Sequence, residues 1–320
     1  MSNGCKNRIA LILLFCVVVT PFCGAIYASE PEAAHASFAL PETVTGAPEA
    51  RIEVEPGEIP AWTEGTAEAA QLPEDRAALY VNGLRLEDCI LLEGSAWVPA
   101  ETLCRILCRE METVWAPETE RLTVRGENFS MTLQAGEDYL TANDRCFYVP
   151  GGIQVREGEM FLPIRSLASV FSLEPVWDGE SRSVSLSTEG MTLPAWADYD
   201  ETDLYWLSRI IHAESGNQPL EGMMGVGNVV LNRVQSAACP DTVYGVIFDR
   251  RYGVQFSPTV TGGIYAEPNE MSIVAAKLCM EGYNVVGDSL YFLNPAIGVS
   301  SWFTRTRTYV TTIGEHVFYA

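Results

Sequence analysis

In the last third of the chain apolar residues recur at helical spacing. Leu207, Ile210 and Ile211 fall on one face, and the fourth member of the stripe is an acid, Glu214. Asp203 is placed to cap this first helix, over residues 203–214, and Ser215-Gly216-Asn217 stops it. A second helix, over 221–234, is apolar nearly all round (Met223, Met224, Val226, Val229, Val230, Leu231, Val234) and must be buried. One edge of it carries Glu221, Gly225, Asn228 and Asn232 instead. Asn269 caps a third helix over 270–281, with Met271, Val274, Ala275 and Leu278 inward. Residues 289–293 read as a strand, and Tyr309–Ile313 with His316–Tyr319 as a hairpin around Gly314-Glu315.

Upstream the period shortens and the pattern repeats. Residues 97–103 (WVPAETL) are echoed by 161–167 (FLPIRSL), and 115–124 (WAPETERLTV) by 177–186 (WDGESRSVSL). Each unit reads as a strand, a Pro in the first turn of a helix of about ten residues, then two strands joined by a polar turn. Asn82-Gly83 marks a further hairpin. This pattern resembles the copper amine oxidase N-terminal-like stalk domain, a β-rich module. No His cluster accompanies it, so it reads as a spacer or a wall-contacting module.

The expected order is therefore a signal segment (1–28), an Ala/Glu/Pro-rich linker (29–76), the stalk domain (77–190), a linker (191–202) and a compact domain (203–320). Lys6 and Arg8 precede an apolar run too short to span a membrane comfortably, and Ile26-Tyr27-Ala28 offers a cleavage site. An exported chain follows, touching membrane only through that segment if it stays uncleaved. Its location would be outside the cytoplasm, in the extracellular space or attached to the cell exterior. The net charge of -22 argues against nucleic acid as a partner. Of the nine cysteines, Cys5, Cys16 and Cys23 lie in the signal. The other six (Cys89, Cys104, Cys108, Cys146, Cys239, Cys279) permit disulfides but are too sparse for a disulfide scaffold. Cys104 and Cys108 are four apart, a metal-like spacing that helix packing or a disulfide explains better. No metal or other cofactor is expected, and no acidic loop has calcium-ligand spacing.

A carboxyl at the end of a buried stripe loses solvation, so its pKa rises and it can hand a proton to a leaving group. Glu214 is thus the candidate general acid. His212, two residues earlier, diverges from it by about 200° on a regular helix and reads as a packing histidine, as does His316. Asn228 and Asn232 either hydrogen-bond a neighbouring loop or line a cleft and meet sugar hydroxyls. Glu221 suits the helix dipole. Gln255, Phe256, Ser257, Tyr291, Asn294 and Trp302 supply the amides and aromatic faces that glycan clefts use, alongside ordinary cores and turns.

Residues 212–222, 227–234 and 239–247, then Gln255-Phe256-Ser257, Asn294-Pro295 and 313–318, occur in the order of one family. They resemble the SleB/CwlJ-type cell-wall hydrolases, also called spore cortex-lytic enzymes. The resemblance implies an α+β, lysozyme/lytic-transglycosylase-like C-terminal domain acting on peptidoglycan glycan strands of the cell wall or spore cortex, with the catalytic glutamate at Glu214. A common form of the family has a second glutamate where this chain has Gln218. Ordinary glycoside hydrolysis needs two carboxylates. A lytic transglycosylase manages with one and leaves a 1,6-anhydro-N-acetylmuramic end, so that outcome is expected. The alternatives are a hydrolytic muramidase or glucosaminidase using Asp241, Asp249, Glu267 or Asp288, and a non-catalytic peptidoglycan-binding wall protein.

Overall fold

The computed structural model describes residues 73–86, 88–297 and 305–320. The expected signal segment, most of the linker after it and Trp302 lie outside the described residues.

The N-terminal part is β-rich. Strands β1 (Arg76–Val81) and β2 (Leu84–Arg85) form the expected hairpin, with Asn82 and Gly83 at φ 51° and 79°. There follow β3 (Cys89–Leu92), β4 (Ser95–Pro99), α1 (Ala100–Leu107) and a five-stranded meander. Its strands are β5 (Glu112–Ala116), β6 (Arg121–Gly126), β7 (Phe129–Gln134), β8 (Tyr139–Ala142) and β9 (Arg145–Tyr148). Next come β10 (Gln154–Arg156), β11 (Glu159–Pro163), α2 (Ile164–Val170), β12 (Val176–Asp178) and β13 (Ser183–Leu186). The second sheet runs β10-β11-β4-β3-β1-β13-β12, with β2 on β1.

The internal repeat explains this arrangement. β4 and β11 pair antiparallel with Leu162 opposite Val98, Phe161 opposite Pro99 and Pro163 opposite Trp97, so the two repeats meet about a local two-fold axis. Their second halves part company. Residues 115–124 form the end of β5 and most of β6 in the meander, whereas 177–186 form most of β12 and all of β13 in the other sheet. Pro99 and Pro163 sit one residue earlier than expected, as the extended N-caps of α1 and α2. Leu103 of α1 and Leu167 of α2 share one core with Leu122 and Leu133 of the meander. Cys104 and Cys108 are buried in that core as free thiols.

The C-terminal part is mixed α and β: α3 (Glu201–Ser215), α4 (Leu220–Gln235), α5 (Val243–Ile247), α6 (Pro258–Thr261) and α7 (Glu270–Met280), then β14 (Tyr291–Leu293), β15 (Tyr309–Ile313) and β16 (His316–Tyr319). The strands form one sheet in the order β14-β16-β15. α3, α4 and α7 enclose a core of Leu207, Ile210, Ile211, Met224, Val230, Ala275 and Leu278. The sheet closes over α4 through Val229, Val286 and Phe318. Two boundaries differ from expectation. Asp200, not Asp203, caps α3, its carboxylate accepting from the Asp203 N–H at 2.9 Å. The 289–293 strand starts at Tyr291, because Ser289 is buried with its hydroxyl donating to the Val286 carbonyl. α5 and α6 carried no clear period and were not anticipated.

The 187–200 segment is a strap. Asn143 Nδ2 donates to the Pro194 carbonyl at 2.9 Å and its own carbonyl accepts from Ala197 N–H. The Tyr199 hydroxyl donates to Glu281, just past α7, and accepts from the Cys146 N–H. Arg145 of β9 completes the joint with an ion pair to Glu281. Among the described residues no helix is long and apolar enough to cross a membrane.

Candidate active site

Glu214 occupies the last turn of α3, in line with the fully buried Leu207, Ile210 and Ile211. Asn269 clasps that turn. Its Nδ2 donates to the Gly216 carbonyl at 3.0 Å and its backbone N–H to His212 Nδ1 at 3.4 Å. Its Oδ1 meanwhile caps α7 through Ser272 N–H at 2.8 Å. One side chain thus locks the C-terminus of α3 to the N-terminus of α7, where sequence reading had shown only a helix cap.

The Oε1 of Glu214 is sealed from solvent and has no hydrogen-bond partner among the described residues. Burial alone pushes its carboxyl from 4.5 to about 7. The other acids considered for catalysis have different surroundings. Asp249 is gripped by Arg251 Nε and Nη2, and that pairing holds it below the usual carboxylate range. Glu267 accepts from Arg209 Nη2 at 2.6 Å. Asp241 and Asp288 are exposed. Gln218, at the position of the missing second acid, is buried. Its Oε1 accepts from the Glu315 N–H at 3.0 Å, tying the α3–α4 loop to the β15–β16 turn.

Several expected sugar contacts have protein partners. Both N–H groups of the Asn228 amide are used, on the Tyr283 carbonyl at 2.8 Å and Cys279 Sγ at 3.3 Å, and its Oδ1 accepts from Val285 N–H. The Asn232 Nδ2 donates to Gly287 and Ser289 carbonyls at 2.7 and 2.9 Å. Neither amide has an N–H left for a sugar; they hold the 283–289 loop on α4. Glu221 accepts from the Tyr148 hydroxyl of β9, so it faces the β-rich part. Phe256 is 2% exposed, a core ring 6.4 Å from Phe292.

Gln255, Ser257, Tyr291 and Asn294 keep partial exposure. Gln255 Oε1 accepts from Arg233 at 3.4 Å, and the Tyr291 ring lies against both Arg233 and Arg307. Asn294 Nδ2 donates to Glu315 at 3.2 Å. The structure thus gathers Gln255, Phe256 and Tyr291 around Arg233, and joins Gln218 and Asn294 through Glu315. Among the described residues no hydrogen bond links any of them to Glu214. Arg233 was missed. It is buried and its Nε donates to the Leu290 carbonyl at 2.7 Å, anchoring β14. Its signal was the single cation of α4.

Residues 217–319 match the cell wall hydrolase family, and residues 85–186 match the copper amine oxidase N-terminal domain. The C-terminal part is a cell wall hydrolase domain. The spore cortex-lytic enzyme of Oceanobacillus iheyensis is 36% identical over 120 residues, which is 38% of this chain and 42% of that protein. The one from Bacillus cereus is 37% identical, over 38% of this chain and 45% of that protein. The chain therefore spans under half the length of these curated relatives. A solved structure, the catalytic domain of the germination-specific lytic transglycosylase SleB from Bacillus anthracis, is 36% identical. The alignment covers 38% of this chain and 97% of that one, with a TM-score of 0.35. The cell wall hydrolase match begins three residues after Glu214, so the carboxyl's role rests on its own geometry. In the copper amine oxidase-like part, residues 85–186 contain no histidine, and no described group of three His, Cys, Asp or Glu could hold a metal. Those residues do not fit a copper ion.

Proposed function

We propose that the protein is an exported enzyme that cleaves the glycosidic bond between N-acetylmuramic acid and N-acetylglucosamine in cell wall or spore cortex, with Glu214 as its acid and base. The observation that carries this reading is the Glu214 carboxyl itself, its Oε1 solvent-sealed and without a hydrogen-bond partner among the described residues, with burial pushing it up to about 7. Half of such groups hold a proton at neutrality. The proton passes to the glycosidic oxygen as the C1–O bond breaks and the N-acetylglucosamine hydroxyl leaves. The resulting carboxylate takes the proton of the muramic C6 hydroxyl while that oxygen bonds to C1, closing a 1,6-anhydro ring and regenerating the acid. No water is consumed and no second carboxylate is required. This agrees with Gln218 at the second-acid position and with the arginine partners of Asp249 and Glu267.

The test is a digest of purified peptidoglycan, and separately of spore cortex, by the mature chain and its Glu214→Gln variant, read by mass spectrometry. Expected are 1,6-anhydro-muramic ends, with turnover lowered about 10²–10⁴-fold in the variant. Reducing ends carrying one added water would replace this mechanism with hydrolysis. Sedimentation with the wall and no cleavage would make the protein a binding module.

A further inference from the structure

A second site lies far from Glu214 in sequence, in the β-rich part. A groove of about 530 Å³ opens where the two repeats meet, walled by Pro150, Pro163, Ser95 and Ser166 and bounded by Arg165 and Trp177. Trp177 is on β12, the last strand in its sheet, and is 46% exposed. Trp177 is in register with Val184, and both line the groove. The prolines make the walls stiff, so little order is lost when a ligand enters.

The charge of the groove is opposite to that of the molecule. The chain carries 42 acids against 20 Lys and Arg, yet the groove lining holds one cation, Arg165, and no carboxylate. Arg165 is exposed and makes no ion pair or hydrogen bond among the described residues. The nearby Asp178 is turned away into its own tight turn, accepting from Glu180 N–H and the Ser181 hydroxyl. A free guanidinium in so acidic a chain, beside an open indole, recognises a ligand with a carboxylate and a flat apolar face. A muramic sugar has both: a pyranose face for the indole, and lactyl or stem-peptide carboxylate for the arginine.

We propose that this groove is a second, non-catalytic binding site for the muramyl-peptide portion of peptidoglycan, with Trp177 stacking on sugar and Arg165 holding carboxylate. The proposal rests on the wall-directed reading of Glu214. It would turn the β-rich part from a spacer into a grip that keeps the cleaving domain on its polymer.

The experiment uses the full chain with Glu214→Gln, so that binding alone is read, and titrates it calorimetrically with a GlcNAc–MurNAc-tetrapeptide, chitotetraose and the free tetrapeptide. Two muropeptides per chain are expected, falling to one in Trp177→Ala and in Arg165→Ala. Binding at the groove should weaken with salt, and chitotetraose, lacking the carboxylate, should bind there at least tenfold more weakly. Both side chains are exposed, so thermal melting should not change. Arg165→Lys should recover part of the affinity by keeping the charge. Unchanged stoichiometry in both variants overturns the proposal. So does equal binding of chitotetraose, or a self-association of the chain that Trp177→Ala abolishes. Digestion by the parent chain separates the two readings. Anhydro ends with a groove indifferent to both variants sink this inference alone. A groove that binds muropeptide while no bond is cut sinks the enzymatic reading alone.

Discussion

At the scale of a single residue, Glu214 exchanges stability for reactivity. Its carboxyl titrates near 4.5 in the unfolded chain and near 7 in the folded one. Between those values the folded state binds more protons than the unfolded state. The stability it allows is therefore complete below about pH 4.5 and is lost as pH rises through 7, a fall of roughly 3 kcal/mol. Glu214→Gln cannot ionise and should flatten that fall. Urea titrations at about pH 4.5 and pH 8 should find the variant the more stable only at the higher pH. If the parent and the variant instead keep the same pH dependence, the carboxylate is solvated and cannot be a poised acid. The same shift predicts that turnover declines above about pH 7, where the acid has lost its proton.

At the scale of elements, the position of the C-terminal sheet on α4 depends on a missing side chain. A Cβ built on Gly225 would lie 2.5 Å from Phe318 Cζ and 3.1 Å from Val286 Cγ1. Alanine is the better helix former by about 1 kcal/mol. Overpacking costs about 1–3 kcal/mol, and the Phe318 ring is backed by Phe292 at 6.1 Å, so it has little room to yield. Packing should win. Gly225→Ala should lower the melting temperature by about 2–4 °C in calorimetry, and a rise would show that the sheet sits more loosely on α4 than the contacts imply. The same helix shows why its polar edge misled. Asn228 and Asn232 share a stripe with Gly225, and that stripe meets a loop and a sheet instead of a sugar.

At the scale of the molecule, the β-rich part and the hydrolase domain are joined at Glu281. Its carboxylate takes the Arg145 guanidinium and the Tyr199 hydroxyl together, which fastens the strap between the two parts. Glu281→Ala leaves both donors without their acceptor. Limited proteolysis should then cut within residues 190–200 at least tenfold faster, with the cores of both parts still resistant. An unchanged cleavage rate would mean that the Asn143 contacts to Pro194 and Ala197 hold the strap unaided. A firm joint matters to the proposed pairing of sites, since a groove that grips the polymer helps cleavage only if it stays at a fixed reach from Glu214.

Local pattern was enough for whatever depends on neighbours in sequence. Helical spacing gave α3, α4 and α7 and the stripe ending at Glu214; the Asn82-Gly83 pair gave its hairpin; the echo of 97–103 in 161–167 gave two like units. These follow from side-chain periodicity and backbone sterics, which act over a few residues. What side chains meet across the chain is another matter. That Asn269 clasps the end of α3, that Gln218 holds a hairpin turn nearly a hundred residues away, and that Glu221 answers Tyr148 instead of a cleft are long-range facts. So is the meeting of Arg165 and Trp177 in one groove free of carboxylates. An amide or a carboxylate looks the same in sequence whether it binds ligand or backbone, and only tertiary packing decides which partner removes it from water.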